Sequence, residues 1–196
     1  LVSLPTSVLV LDKLDDEQLL AAHVAGDPNA FDALFQRHRD RLWAIALRTM
    51  RDPEEAADAL QEAMMSAFRR AASFRGDSRV TTWLHRIVVN ACLDRIRRNA
   101  VRRGEPLPSD VDRDLGLAST EDITVGIEHE QVRDVVQDAL GQISPDQRAA
   151  LVLVDMEGYS VEEAARMLGC ATGTVKSRCS RGRARLAPLL AALRET

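Results

Sequence analysis

Aromatic side chains are scarce: four Phe, two Trp and one Tyr make up 4% of 196 residues. A core with so few rings must rest on Leu, Ala, Val, Ile and Met, which suits helices better than sheets. Cysteine is scarce too. Cys92, Cys170 and Cys179 are odd in number and form no CxxC pair. That argues against a disulfide framework, and buried or reduced thiols are expected. His23, His38, His85 and His129 are scattered without metal-ligand spacing, so no metal site is expected. No apolar run approaches the ~20 residues that span a bilayer, so direct membrane insertion is not expected. The opening stretch, residues 1–14, has no basic residues ahead of its apolar run and does not read as a signal peptide. It reads as a loose arm on a cytoplasmic protein. There is no nucleophile–base pairing and no P-loop, which leaves no catalysis, no small-molecule substrate and no cofactor to expect.

What is present is a series of helix starts. Asp15 and Gln18 make a capping box, as do Ser160 and Glu163. Asp27-Pro28, Asp52-Pro53 and Ser144-Pro145 each set a capping residue before a proline at the first helical position, with Gln147 closing a third box. Between the caps, apolar residues recur at three and four: Phe31, Leu34, Phe35, then Leu42, Ile45, Ala46. The chain reads as all-α.

Residues 101–130 break this pattern. They hold three cations against eight acids, with Gly104, Pro106, Pro108, Gly116 and Gly126 among them. Such a segment cannot bury a core of its own and reads as a flexible acidic linker. It separates two small helical domains, 15–100 and 131–194. The net charge of -4 belongs to this linker, because the flanking domains are nearly balanced.

Against that balance stands residues 174–186, TVKSRCSRGRARL, with five cations and no carboxylate. A basic run alone is equally well explained as a solvated surface helix. Here it follows SVEEAARMLG, a short capped helix ending in glycine. Two helices joined by a tight glycine turn form a helix-turn-helix, whose second helix enters the major groove. Thr172 is the expected cap of that second helix. Lys176, Ser177, Arg178, Arg181 and Arg185 can present donors to phosphates and bases. Val175, Cys179, Gly182 and Leu186 fall nearer the packing face.

The N-terminal domain carries two further segments. Residues 58–70, DALQEAMMSAFRR, form a two-faced helix. Leu60, Met64, Ala67 and Phe68 make its apolar stripe. Asp58, Gln61, Glu62 and Met65 recur on another face, an acidic patch beside a methionine that suits either a partner or plain solvent. Residues 73–98 begin with a loop, Phe74-Arg75-Gly76-Asp77-Ser78, and continue as a helix with Trp83, Arg86, Asn90, Arg95, Arg97 and Arg98. Ile87, Ala91 and Ile96 are expected to face the core. Aromatic and basic groups beside one loop suit stacking on unpaired bases, although composition alone would put Trp83 in the core.

With these segments in place the chain resembles bacterial sigma factors of the extracytoplasmic-function group, and most of all their actinobacterial M-type subgroup. The three segments look like the family's core-binding, promoter-melting and −35-reading parts, in the right order. The resemblance implies a sigma region 2 domain at 15–100 and a sigma region 4 domain at 131–194, with the linker threading toward the polymerase active site. Asp58, Gln61, Glu62 and Met65 would then dock on core RNA polymerase. Phe74, Arg75, Gly76, Asp77, Ser78, Trp83, Arg86 and Asn90 would meet the −10 element. Thr172, Thr174, Lys176, Ser177, Arg178, Arg181, Arg183 and Arg185 would meet the −35 element. The implied partners are core RNA polymerase, promoter DNA and an anti-sigma factor. Two other readings compete: a helix-turn-helix regulator with an N-terminal sensor domain, and an adaptor that binds only proteins.

Overall fold

A computed structural model of the chain describes residues 11–104 and 129–191. The described residues are helical, with no strand among them. They form α1 (Asp16–Val24), α2 (Ala30–Met50), α3 (Pro53–Arg70), a 3-10 turn (Ala71–Ser73), α4 (Val80–Arg102), α5 (His129–Gly141), α6 (Pro145–Leu151), a π turn (Val152–Met156), α7 (Val161–Leu168) and α8 (Thr172–Leu189). They fall into two compact units divided within α4 after Cys92, with the short Arg48–Asp52 turn grouped with the second.

In the first unit the core is aliphatic and small. Leu19, Leu34, Leu42, Ile45, Leu84, Val88, Val89 and Cys92 are buried, and Phe31 is its one buried Phe. α3 contributes Ala56, Ala59, Leu60, Ala63 and Ala67 at helical spacing. This alanine stripe lets neighbouring helices approach closely. It differs from the expected stripe at Phe68, which is 50% exposed. Phe68 is held by other rings instead: its centroid lies 4.3 Å from His23 and 5.2 Å from Phe31. On α4 the buried residues are Leu84, His85, Val88, Val89 and Cys92. Ile87, Ala91 and Ile96 are only half-buried. The core face is thus rotated one residue from the expected one, a displacement that a sequence with apolar residues on both flanks does not reveal.

The caps were mostly as expected. Asp15 and Gln18 exchange both bonds of their box, and so do Ser160 and Glu163. Ser144 caps α6 by accepting from the Gln147 N–H at 3.3 Å. Its box stays open because the Gln147 side chain is buried. Asp27-Pro28 does not start a helix. Asp27 accepts from the Asn29 N–H at 2.9 Å, closing a tight turn, and α2 begins at Ala30. The expected loose arm 1–14 lies outside the described residues up to position 10. Beyond it, Leu11 is buried and Arg37 donates to the Leu14 carbonyl at 2.9 Å. Most of the expected linker, residues 105–128, also lies outside the described residues.

In the second unit α8 packs on α6 and α7 through Val175, Cys179 and Gly182, all buried. Gly182 is needed for this approach. A Cβ there would stand 2.7 Å from Leu151 Cδ1, well inside van der Waals contact. Gly169 ends α7 at φ 64°, in the left-handed region where a side chain is disfavoured. The resulting turn, Gly169 to Ala171, is short enough to fix the angle between α7 and α8. This is the helix-turn-helix expected from the sequence.

Candidate nucleic-acid interface

Three surfaces carry the residues singled out by the sequence. The first is the outer face of α3. Asp58 and Gln61 are exposed, Glu62 is half-buried and Met65 is 52% exposed. They lie opposite the alanine stripe, because residues three, four and seven apart share one side of a helix. Phe68, one turn further on, extends this side with an exposed ring. Sequence reasoning placed that ring in the core because an apolar residue at a core-like spacing looks the same from either face.

The second surface is the loop before α4 and the start of that helix. The 3-10 turn brings the chain to Phe74, and Gly76 at φ 75° turns it back. Arg75, Gly76, Asp77 and Ser78 are exposed, as is Arg79 beside them. Phe74 and Trp83 meet edge-on, ring centroids 5.6 Å apart, and both remain half-exposed. Trp83 is therefore not a core residue. An edge-to-face pair gives each ring a fixed direction while leaving a face open. Arg86 is exposed and Asn90 half-exposed, three and seven residues after Trp83 and so on its side of the helix. Asn90 Nδ2 donates to the Arg86 carbonyl at 2.8 Å, which orients the amide along α4.

The third surface is α8. Its cations do not form one patch. Lys176 and Ser180 are exposed, with Ser177 and Arg181 beside them on the side away from Val175, Cys179 and Gly182. Arg181 Nη2 donates to Ser177 Oγ at 3.2 Å, so these two present a joined polar group. Arg178 is turned inward. Its side chain is 12% exposed, and Nη2 lies 3.4 Å from Asp146 Oδ2. Arg183 lies near the outside but makes two bonds to Asp155, at 2.9 and 2.6 Å. Arg185 is half-buried. Thr174 is half-buried and Thr172 exposed, but Thr172 is the first helical residue and not the cap. Ala171 takes the cap position and has no side chain that can accept a bond. Ser180 was missed by sequence reasoning, although counting one turn on from Lys176 would have found it.

Buried titratable groups add a constraint. His85 in α4 has its pKa pushed down to about 4, first by burial and then by Arg41 and His38. Burial also pushes the Cys179 thiol up, with Asp155 adding to the effect. It is therefore a neutral packing group at ordinary pH. No group of His, Cys, Asp and Glu able to hold a metal occurs among the described residues. No helix among them is long and apolar enough to cross a membrane.

Comparison with known families decides what this arrangement is. The family model for Sigma-70 region 2 matches residues 34–102, and the model for Sigma-70 region 4 matches residues 133–186. The ECF RNA polymerase sigma factor SigM of Mycobacterium tuberculosis is 54% identical over 175 residues, covering 89% of this chain and 84% of that protein.

The chain belongs to the extracytoplasmic-function sigma factors.

Solved structures agree in fold. The sigma factor RpoE of Bartonella quintana, crystallised with the anti-sigma factor NepR, is 31% identical with a TM-score of 0.63, covering 83% of this chain and 97% of that one. CnrH, in complex with the cytosolic domain of CnrY, is 28% identical with a TM-score of 0.61, covering 90% of this chain and 97% of that one. This sigma factor is thus a promoter-recognising initiation factor of RNA polymerase. The region 2 match runs through α3, the aromatic loop and α4, where the rival reading required a sensor domain. The region 4 match holds α7, the turn and α8 of the sigma factor as far as Leu186.

Proposed function

We propose that the three surfaces divide the work of initiation. The α3 face of Asp58, Gln61, Glu62 and Met65 docks on core RNA polymerase. The loop Phe74–Ser78, with Trp83, Arg86 and Asn90, captures an unpaired base of the −10 element. α8 reads the −35 element. The domains responsible are 15–100 and 131–194, and the linker 101–130 runs through the polymerase between them. Opening needs no catalysis. Unstacking a base costs about a few kcal/mol, and a protein that binds the flipped base shifts the equilibrium by that binding energy. Stacking on an aromatic ring is worth about 1–3 kcal/mol per base, which is of the right size.

The observation that carries the reading is the half-exposed Phe74–Trp83 pair at the head of a helix bearing Arg86 and Asn90. Rings of a folded domain that are held edge-on but left open have a face to offer. The factor works in the cytoplasm, where its polymerase and promoters are. An anti-sigma factor holds it inactive, as supported by the solved relative RpoE in complex with the anti-sigma factor NepR.

In vitro transcription with core polymerase on a promoter library tests this reading, with permanganate to detect unpaired thymines. Selective initiation with an open −10 region is expected. Docking is tested separately: Glu62→Arg should weaken association with the purified core while leaving the helical circular dichroism unchanged. Unaltered affinity would remove α3 from the docking surface.

A further inference from the structure

Arg178 stands in the middle of the basic stretch, yet its guanidinium faces into the domain. Three residues after Val175, it lies on the flank of the packing face of α8. Its side chain is 12% exposed and that of Asp146 is 15% exposed. Arg178 Nη2 lies 3.4 Å from Asp146 Oδ2, and Nη1 donates to Cys170 Sγ at 3.7 Å. These partners belong to different pieces of the fold. Asp146 sits in the first turn of α6, where a carboxylate is favoured by the helix dipole. Cys170 directly follows Gly169 in the turn between α7 and α8. One planar, forked guanidinium therefore joins the helix, the turn before it and the helix beneath it.

We infer that Arg178 is a positioning residue for −35 recognition: it locks α8 to α6 and to the turn, and so sets the pose in which Lys176, Ser177, Ser180 and Arg181 meet the bases. This rests on the reading of α8 as the −35 helix. The alternative, that Arg178 itself reaches a base, would require it to leave a largely desolvated carboxylate. Lys176 and Ser180 need no such exchange, being exposed already.

Positioning and reading leave different marks on sequence preference. A reader lost from the groove relaxes preference at one or two base pairs. A positioning residue shifts every reader together. The experiment uses the full chain reconstituted with core RNA polymerase. Bound duplexes are selected from a pool randomised across the −35 region, and affinities are then measured over a salt range. Arg178→Gln should lower affinity for the selected sequence roughly tenfold and flatten preference at all selected positions together. Affinity for scrambled duplex should hold, and so should the salt slope, which a lost phosphate contact would reduce by about one. Asp146 also faces Arg97 Nη2 at 3.4 Å, so Asp146→Asn removes more than one contact. It should still reproduce the uniform flattening without touching any DNA-facing residue. Should Arg178→Gln fail to fold, that uniform flattening in Asp146→Asn supports the inference, and its absence refutes it. Relaxation confined to one or two base pairs in Arg178→Gln, with normal preference in Asp146→Asn, would overturn the inference. Lys176→Ala is the control for the underlying reading. It should relax preference locally and reduce the salt slope by about one. Selection unaffected by Lys176→Ala would remove α8 from −35 reading, and the role of Arg178 with it.

Discussion

Helix α4 with the loop before it, and helix α8, carry the residues proposed to meet promoter DNA, and they hold them in opposite ways. On α4 and the loop before it the groups are displayed. Phe74 and Trp83 brace each other edge-on, and Arg75, Arg79 and Arg86 are exposed. On α8 two of the five cations are committed to carboxylates within the domain. Arg178 is spent on Asp146 and Arg183 on Asp155, while Lys176 stands exposed. The contrast follows from the two tasks. A flipped base must be caught by groups that are open before it arrives. A duplex groove must be met by a helix whose angle is already fixed, and buried or bidentate ion pairs fix angles.

The sharpest way to break this comparison is at the displayed aromatic pair. Phe74→Ala should reduce open-complex formation about 100-fold, within the range of stacking energies per base. Binding to a −35 duplex should be unchanged. Permanganate footprints of normal strength in the variant would show that the ring is packing and not capture.

The helix behind that pair should also be acid-sensitive. The folded-state pKa of His85 is lowered from 6.5 to about 4, chiefly by burial. Between those values the unfolded chain takes up a proton that the folded one refuses. Stability is then complete above pH 6.5 and declines as pH falls toward 4, by about 2 kcal/mol at pH 5. Urea unfolding of the full chain at pH 7 and pH 5 measures it. A His85→Leu variant should lose that dependence; retention of the full slope would place its source elsewhere.

A smaller effect tests how tightly α8 is held. In Gly182→Ala the new methyl meets Leu151 Cδ1 at 2.7 Å. The helix must shift or the leucine must leave its rotamer, at about 1.5 kcal/mol. Thermal denaturation should show the loss, with −35 preference blurred at the same time. An unchanged melting temperature would show that Leu151 yields to the methyl without cost.

The smallest effect is expected at Arg183. Its side chain is 56% exposed despite the two bonds to Asp155, and exposed pairs contribute under about 1 kcal/mol. Arg183→Ala should scarcely change stability or the salt slope of binding. A slope lower by about one would show that Arg183 leaves Asp155 for a phosphate when DNA is bound.

Several features were legible in the sequence alone. The capping boxes at Asp15 and Ser160 formed as read, because a cap depends only on residues three apart. The helix-turn-helix was legible for the same reason, since Gly169 and the packing positions are local signals: Val175, Cys179 and Gly182 are buried as expected, and Leu186 is half-buried. The errors fell where a local signal met a distant competitor. Asp27-Pro28 resembled a helix start and became a turn. Phe68 fitted an apolar stripe but found His23 and Phe31 near the surface.

The sequence by itself determined that the chain is helical, where most helices begin, and which stretch is basic. These depend on propensity, spacing and caps within a few residues. Only the tertiary structure decided which cations face outward. Arg178 and Lys176 stand two positions apart in one run and cannot be ranked from it. They differ because Asp146, thirty-two residues from Arg178 along the chain, is brought beneath one and not the other. A helix presents each side chain at a fixed angle, but what waits at that angle is supplied by the rest of the fold.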